Sequence, residues 1–170
     1  MKVADAVAAW LAKHLQVVFV ISGGASLHLI HGIAKRKDIR FVCPQSEAGA
    51  GFAADAYARL HGVGCAIATS GPGASNLQTS IEASWFDSVP VLYICGNQTR
   101  ERMNDYGTRG YGFQSRPTVE IVRPVTKWAK TLFSPMHVIT EMEQALAVAK
   151  SGRPGPVVID LPDDVQRAEC

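Results

Sequence analysis

"VGCAIATSGPGASNLQTSIEASWFDSVPVLYICG", residues 63–96, sets two apolar runs, VGCAIAT and VPVLYICG, around a glycine turn and a segment of helical length. Neither run alternates apolar with polar residues, so both faces of each strand must be covered, which is the mark of a parallel sheet. The unit is therefore a strand, a turn, a helix and a second strand. The same pattern extends in both directions. "VVFVIS" (17–22) leads through "GGAS" into "LHLIHGIAKRK", and "IRFVCP" (39–44) leads into "QSEAGAGFAADAYARLHG". Downstream come a polar, Gly-rich stretch from Asn97 to Ser115 and a strand near Val125 to Lys130. A helix near 135–150, the turn "SGRPG" and a last strand "PVVIDLP" (156–162) complete the series. Repeated β-α units predict one open, doubly wound α/β domain over residues 1–170, with about six mostly parallel strands and helices on both faces.

Composition narrows the function. The chain has 170 residues, 47% hydrophobic and 19% charged, with 17 basic and 15 acidic side chains for a net charge of +2. These charges are scattered, which points away from nucleic acid and from acidic membranes. In "MKVADAVAAWLAKHLQ" the residues Asp5, Lys13 and His14 interrupt any signal-like core, so it reads as an amphipathic helix. No apolar run approaches the roughly 20 residues of a membrane span. A soluble, cytoplasmic protein is expected. The four cysteines, Cys43, Cys65, Cys95 and Cys170, show no metal-ligand spacing. His28 and His31 lie one helical turn apart without a third ligand, so no metal site is expected.

In doubly wound sheets ligands bind beyond the carboxyl ends of the strands. That rule selects "SGGAS", "PQSEAG", "TSGPGASN" and the loop after "YICG". Each glycine loop reads either as a tight turn or as a cradle of backbone N–H groups for a ligand. The dinucleotide fingerprint is incomplete, lacking its third glycine, and there is no G-K-[ST]. Glu47 has two readings as well. Ser46 suits an N-cap, and an acid in the first turn favours a helix through its dipole. Yet Ala48, Gly49, Ala50 and Gly51 follow it, and each glycine costs about 1 kcal/mol of helix propensity. Something must pack closely there.

Taken in order, "SGGAS", "SEAGAGFAADAYAR", "ATSGPGASNL", "FDSVPVLYICG", "FQS", "RPVTKWAK" and "GRPGPVVIDLPDDVQ" cover about residues 1–166. Together they resemble the N-terminal pyrimidine-binding domain of thiamine-diphosphate enzymes, with the acetolactate synthase (acetohydroxyacid synthase) group as the nearest likeness. The resemblance implies that Glu47, in a motif with Gly51, Ala53, Ala54, Tyr57, Ala58 and Arg59, hydrogen-bonds N1′ of the cofactor's aminopyrimidine. The imino tautomer so favoured takes the proton from C2 of the thiazolium, and the resulting ylid attacks a 2-oxo acid, which loses carbon dioxide before the acyl-anion equivalent passes to an acceptor. The resemblance places Pro72, Gly73, Asn76 and Gln114 at the cofactor. It places Gly23, Gly24, Ala25, Phe113 and Lys127 on the substrate side. On the residues alone the glycines and Pro72 are turn formers, Asn76 is a cap, Phe113 is core and Lys127 is a solvated charge. The small residues after Glu47 are implied to serve a subunit interface.

Ser22 stands where the family usually has proline, Ser46 where it usually has histidine, and "GTRGYGFQS" (107–115) is about two residues longer than usual. These differences bear on the choice of oxo acid and acceptor. No G-D-G motif occurs, so magnesium and the diphosphate are expected on a second domain, in cis or on a partner subunit, and the chain is expected to be inactive alone. A homodimer or homotetramer is expected. The alternatives are a 2-oxo acid decarboxylase or other carboligase domain, and a non-catalytic binding or regulatory module of the same fold.

Overall fold

Strands that are apolar on both sides need helices on both sides, and the chain supplies them. The computed structural model describes residues 1–103 and 112–170. Among these, the helices are α1 (Val3–His14), α2 (Leu27–Ala34), α3 (Glu47–His61), α4 (Pro72–Asn76), α5 (Gln78–Asp87), α6 (Thr118–Val122), α7 (Val138–Lys150) and α8 (Asp163–Arg167). The strands are β1 (Val17–Val20), β2 (Arg40–Val42), β3 (Gly64–Ala68), β4 (Val91–Asn97), β5 (Trp128–Thr131) and β6 (Val157–Pro162). They form one all-parallel sheet in the order β2-β1-β3-β4-β6-β5. Residues 107–111 of the segment expected to be elongated lie outside the described residues.

Alternate side chains of each central strand feed two cores. Leu92 and Ile94 of β4 join Val7, Leu11, Leu29, Ile33 and Met142 under α1, α2 and α7. Val91, Tyr93 and Cys95 of the same strand join Ala54, Ala58, Leu77 and Ile81 under α3 and α5. Each buried aliphatic side chain contributes about 1.5–3 kcal/mol, so the two cores hold the sheet from both sides. The N-terminal segment is a helix of this fold, with Val3, Val7, Trp10 and Leu11 buried. None of the described helices is long and apolar enough to cross a membrane. Cys65 and Cys95 are buried and unpaired, and burial pushes both thiols well above their usual range.

One strand departs from expectation. Arg40, Phe41 and Val42 of β2 are all exposed, because β2 is an edge strand that pairs only with β1. Complete covering holds for β3, β4 and β6.

The strand order also locates the ligand crevice. From β1 the chain turns to β2 on one side, and from β3 it turns to β4 on the other, so the loops beyond β1 and β3 diverge. Such a switch point leaves a cleft at the carboxyl ends of the strands. A second divergence lies between β4 and β6, since the helix after β4, α6, packs Val122 into the core under α3 and α5, whereas the helix after β6, α8, packs Val165 into the opposite core.

Candidate active site between β1 and β3

Helix α3 begins as its sequence predicts. Ser46 is the N-cap, its Oγ accepting from the Gly49 N–H at 3.1 Å, and Glu47 is the first helical residue. The rest of the motif fastens this helix down. A Cβ on Gly51 would lie 2.6 Å from Ser80 Cβ, so only glycine lets α3 sit this close to α5. Ala54 and Ala58 are buried beneath it. Arg59 Nε donates to Asp55 Oδ1 at 2.7 Å and its Nη2 to Asp87 Oδ2 at 2.6 Å. Asp55 in turn accepts from Ser84 Oγ at 2.7 Å, and that hydroxyl meets Tyr93 OH at 2.9 Å. The small residues Ala50, Gly51, Ala54 and Ala58 thus pack within the chain, and Ala48, Gly49 and Ala53 are left half-exposed.

Thr69, at the end of β3, organises the rim. A Cβ on Gly23 would lie 2.5 Å from Thr69 Cγ2, and one on Gly73 would lie 2.8 Å from the same atom. The Thr69 hydroxyl accepts from the Ala25 N–H at 3.2 Å, which ties the loop after β1 to the loop after β3. Sequence reading passed over Thr69. Its signal was available, as a β-branched hydroxyl residue directly between a buried strand and the turn "SGPG".

Glu47 reaches this rim from β2's side. Asn76 Nδ2 donates to Glu47 Oε2 at 3.0 Å. The other oxygen, Oε1, lies 3.5 Å from where a Gly73 Cβ would be, and no described residue donates to it. Next to these, Gly24, Ala25, Thr69, Gln98, Phe113 and Gln114 line a cavity of about 370 Å³. Phe113 is 78% exposed, so it is not core, and its carbonyl accepts from Gln98 Nε2 at 2.8 Å. Gln114 holds a left-handed backbone, φ 56°, with its carbonyl against Gly71. Pro72 is exposed at the start of α4. Of the residues singled out from sequence, Gly23, Gly24, Ala25, Glu47, Pro72, Gly73, Asn76, Phe113 and Gln114 therefore share one rim.

Lys127 does not. It precedes β5, at the amino end of the sheet, where its Nζ donates to the Val148 carbonyl at 2.6 Å and to Ser151. There it satisfies carbonyls at the end of α7. His28 lies 3.4 Å from Asp163 Oδ1, and no group of three metal-binding side chains occurs among the described residues.

The second divergence is built differently. Asp160 of β6 is 1% exposed and accepts from Asn97 Nδ2 at 2.8 and 3.0 Å and from Thr131 Oγ1 at 2.8 Å. Burial pushes its carboxyl up to about 6, against the opposing pull of the Asn97 and Thr131 hydrogen bonds.

Chemically, the first rim offers a half-exposed carboxylate with one oxygen engaged and one open. Beside it Gly23 and Gly73 let both loops close on Thr69, and the cavity lined by Gly24, Ala25, Thr69 and Gln114 opens alongside. A planar heterocycle that presents an N–H to Oε1 suits both features. The family model described as "Thiamine pyrophosphate enzyme, N-terminal TPP binding domain" matches residues 1–119, a span that holds every candidate residue except Lys127. Among curated proteins, the chain is 40% identical over 154 residues to "Acetolactate synthase, chloroplastic" of Arabidopsis thaliana, covering 90% of this chain and 22% of that protein. It is 40% identical over 151 residues to "Acetolactate synthase 2, chloroplastic" of Nicotiana tabacum (88% and 22%) and 39% identical over 151 residues to the Zea mays protein of the same name (88% and 23%). The chain thus spans under a quarter of the length of these relatives.

Proposed function

We propose, from the premise that this chain belongs to the thiamine pyrophosphate enzymes and carries their N-terminal TPP-binding domain, that its 170 residues form one pyrimidine-binding domain of an acetolactate-synthase-like enzyme. The observation that carries the reading is Glu47, set at the switch point with Oε1 open above Gly73. Thiamine diphosphate, when bound, supplies the carbon nucleophile and electron sink that a 2-oxo acid needs to lose carbon dioxide and pass its acyl group to an acceptor.

The residues fit the pyrimidine end of that cofactor. Glu47 holds the proton shared with the ring nitrogen at Oε1, and Gly73 and Pro72 border the ring. Gln114 closes the same side. Gly23, Gly24, Ala25 and Phe113 face the cavity where the oxo acid would lie. A relay needs a carboxyl that shares its proton, and cover from a neighbouring domain would exclude water from the rim where that sharing takes place.

Magnesium does not fit here, because among the described residues no group of three metal-binding side chains occurs. The proposal therefore assigns magnesium and the diphosphate to a second domain, in the same polypeptide or in a partner subunit. Self-association as a homodimer or homotetramer belongs to the same reading, supported by Phe52 and Leu60 on α3 and Phe86 on α5, which are 45%, 81% and 68% exposed. So does a cytoplasmic location, which cell fractionation would test against the chloroplast named for the relatives.

The experiment is hydrogen–deuterium exchange at C2 of bound thiamine diphosphate in the holoenzyme. Glu47→Gln should slow it by several orders of magnitude, in line with loss of a general acid–base group worth about 10²–10⁴. Exchange at the wild-type rate would sink the proposal.

A further inference from the structure

The resemblance makes Asn76 a wall of the pyrimidine site, but its one side-chain hydrogen bond among the described residues goes to Glu47. We infer that Asn76 is a positioning residue for Glu47, fixing which carboxylate oxygen carries the relayed proton. The inference rests on the proposed role of Glu47.

The two oxygens of a free glutamate are equivalent, and the terminal torsion of the side chain is broad and two-fold, so either oxygen can face a ligand. The Asn76 carboxamide removes that equivalence. Its Nδ2–H, 3.0 Å from Oε2, commits Oε2 as an acceptor. An ionised carboxylate only accepts, which requires the carboxamide to turn its NH₂ inward. A proton placed on Oε2 would meet the amide N–H head on. With the carboxamide so turned, a relayed proton is left to Oε1, the oxygen that lies over Gly73 and has no donor among the described residues.

The geometry of the two helices makes the contact a positional one. Glu47 opens α3 after β2, and Asn76 closes α4 after β3, 29 residues later. The hydrogen bond spans the switch point, and it is the one direct side-chain bond from Glu47 to the β3 side among the described residues. Asn76 itself is exposed at the rim, as a residue that touches ligand or partner would be. What it holds is the plane of the carboxyl group, and a plane matters when a proton must travel in line between an oxygen and a ring nitrogen.

The test uses the holoenzyme and separates rate from affinity. With thiamine diphosphate saturating, Asn76→Ala should slow C2 exchange by about 10- to 100-fold, while the cofactor Kd moves by less than about threefold, as expected for a mispositioned group. In a Glu47→Gln background the same substitution should add nothing, since it acts through Glu47. A second readout needs no cofactor. In the cofactor-free protein, labelled with ¹⁵N-asparagine, the Asn76 carboxamide signal should shift when Glu47 becomes alanine. If Asn76→Ala fails to fold, Asn76→Ser takes its place in the kinetic arm.

A weakened cofactor Kd with an unchanged saturated exchange rate would overturn the inference and leave Asn76 as a wall. So would a carboxamide signal that ignores Glu47→Ala. These outcomes differ from failure of the proposed function, in which Glu47→Gln itself leaves exchange at the wild-type rate.

Discussion

Two carboxylates stand at the carboxyl ends of the same sheet, one at each divergence of the strands. Glu47, between β1 and β3, is half-exposed and, among the described residues, accepts one hydrogen bond at Oε2 and none at Oε1. Asp160, between β4 and β6, is buried and accepts from both Asn97 and Thr131. Topology offers both places to a ligand. What separates them is satisfaction: a carboxylate surrounded by donors is finished as structure, whereas one with an oxygen that no described residue engages, next to an open cavity, is ready for a partner. Burial raises the Asp160 carboxyl to about 6 in a fully bonded site, so a shifted titration can belong to structure.

The contrast can be broken by experiment, most strongly at Asn97. Asn97→Ala strips Asp160 of its two amide contacts and should cost about 3 kcal/mol at pH 7.5, read from the urea midpoint, with a smaller loss at pH 4.5 where the carboxyl is protonated. An equal loss at both pH values would mean that the amide packs rather than solvates.

The pH dependence of the wild type gives the next largest effect. Burial raises Asp160 from the usual 3.8 to about 6, so the folded protein holds a proton that the unfolded chain releases. The stability this contributes is full below about pH 4 and is lost as pH rises through about 6, a change of about 3 kcal/mol for a shift of about two units. Asp160→Asn should remove that slope, so that the difference in unfolding free energy between variant and wild type grows across this window. A constant difference would show Asp160 ionised throughout.

Smaller effects sharpen the glycine rim. Gly23→Ala drives a methyl into Thr69 and should cost about 1–3 kcal/mol. Gly24→Ala, whose Cβ would meet nothing within 4 Å, should change stability by less than about 0.5 kcal/mol. Similar losses for the pair would mean that the loop is not clamped on Thr69. Glu47→Gln should likewise leave the unfolding free energy within about 1 kcal/mol, the worth of a first-turn charge, even where it slows C2 exchange as proposed above. A large loss would place Glu47 with Asp160, as structure.

Much of this was legible in the sequence, and for a physical reason. Strand and helix periods, glycine turns and the Ser46 cap are local signals, and they predict all six strands as well as the start of α3. The rim residues were legible because parallel strands send all their following loops to one end. The same rule places Lys127 at the other end, since it precedes its strand rather than follows it. The Asn97–Asp160 pair was not legible, because it joins residues 63 apart through the adjacency of β4 and β6, and strand order is a property of the sheet. An aspartate inside "VVIDLP" was the available hint. The inward packing of Gly51 was likewise hidden, since a run of small residues does not say which face meets what.

The exposed edge strand has a further consequence. Glu47 is delivered by β2, which is three residues long, paired on one side and bare on its surface. So short a strand cannot survey the carboxylate's position. That task passes to α3, whose bolts are Gly51 against Ser80 and Arg59 across Asp55 and Asp87. Arg59 lies about three turns from Glu47. Loosening these bolts would shift Glu47 as well as weaken the fold, from positions that lie away from the rim.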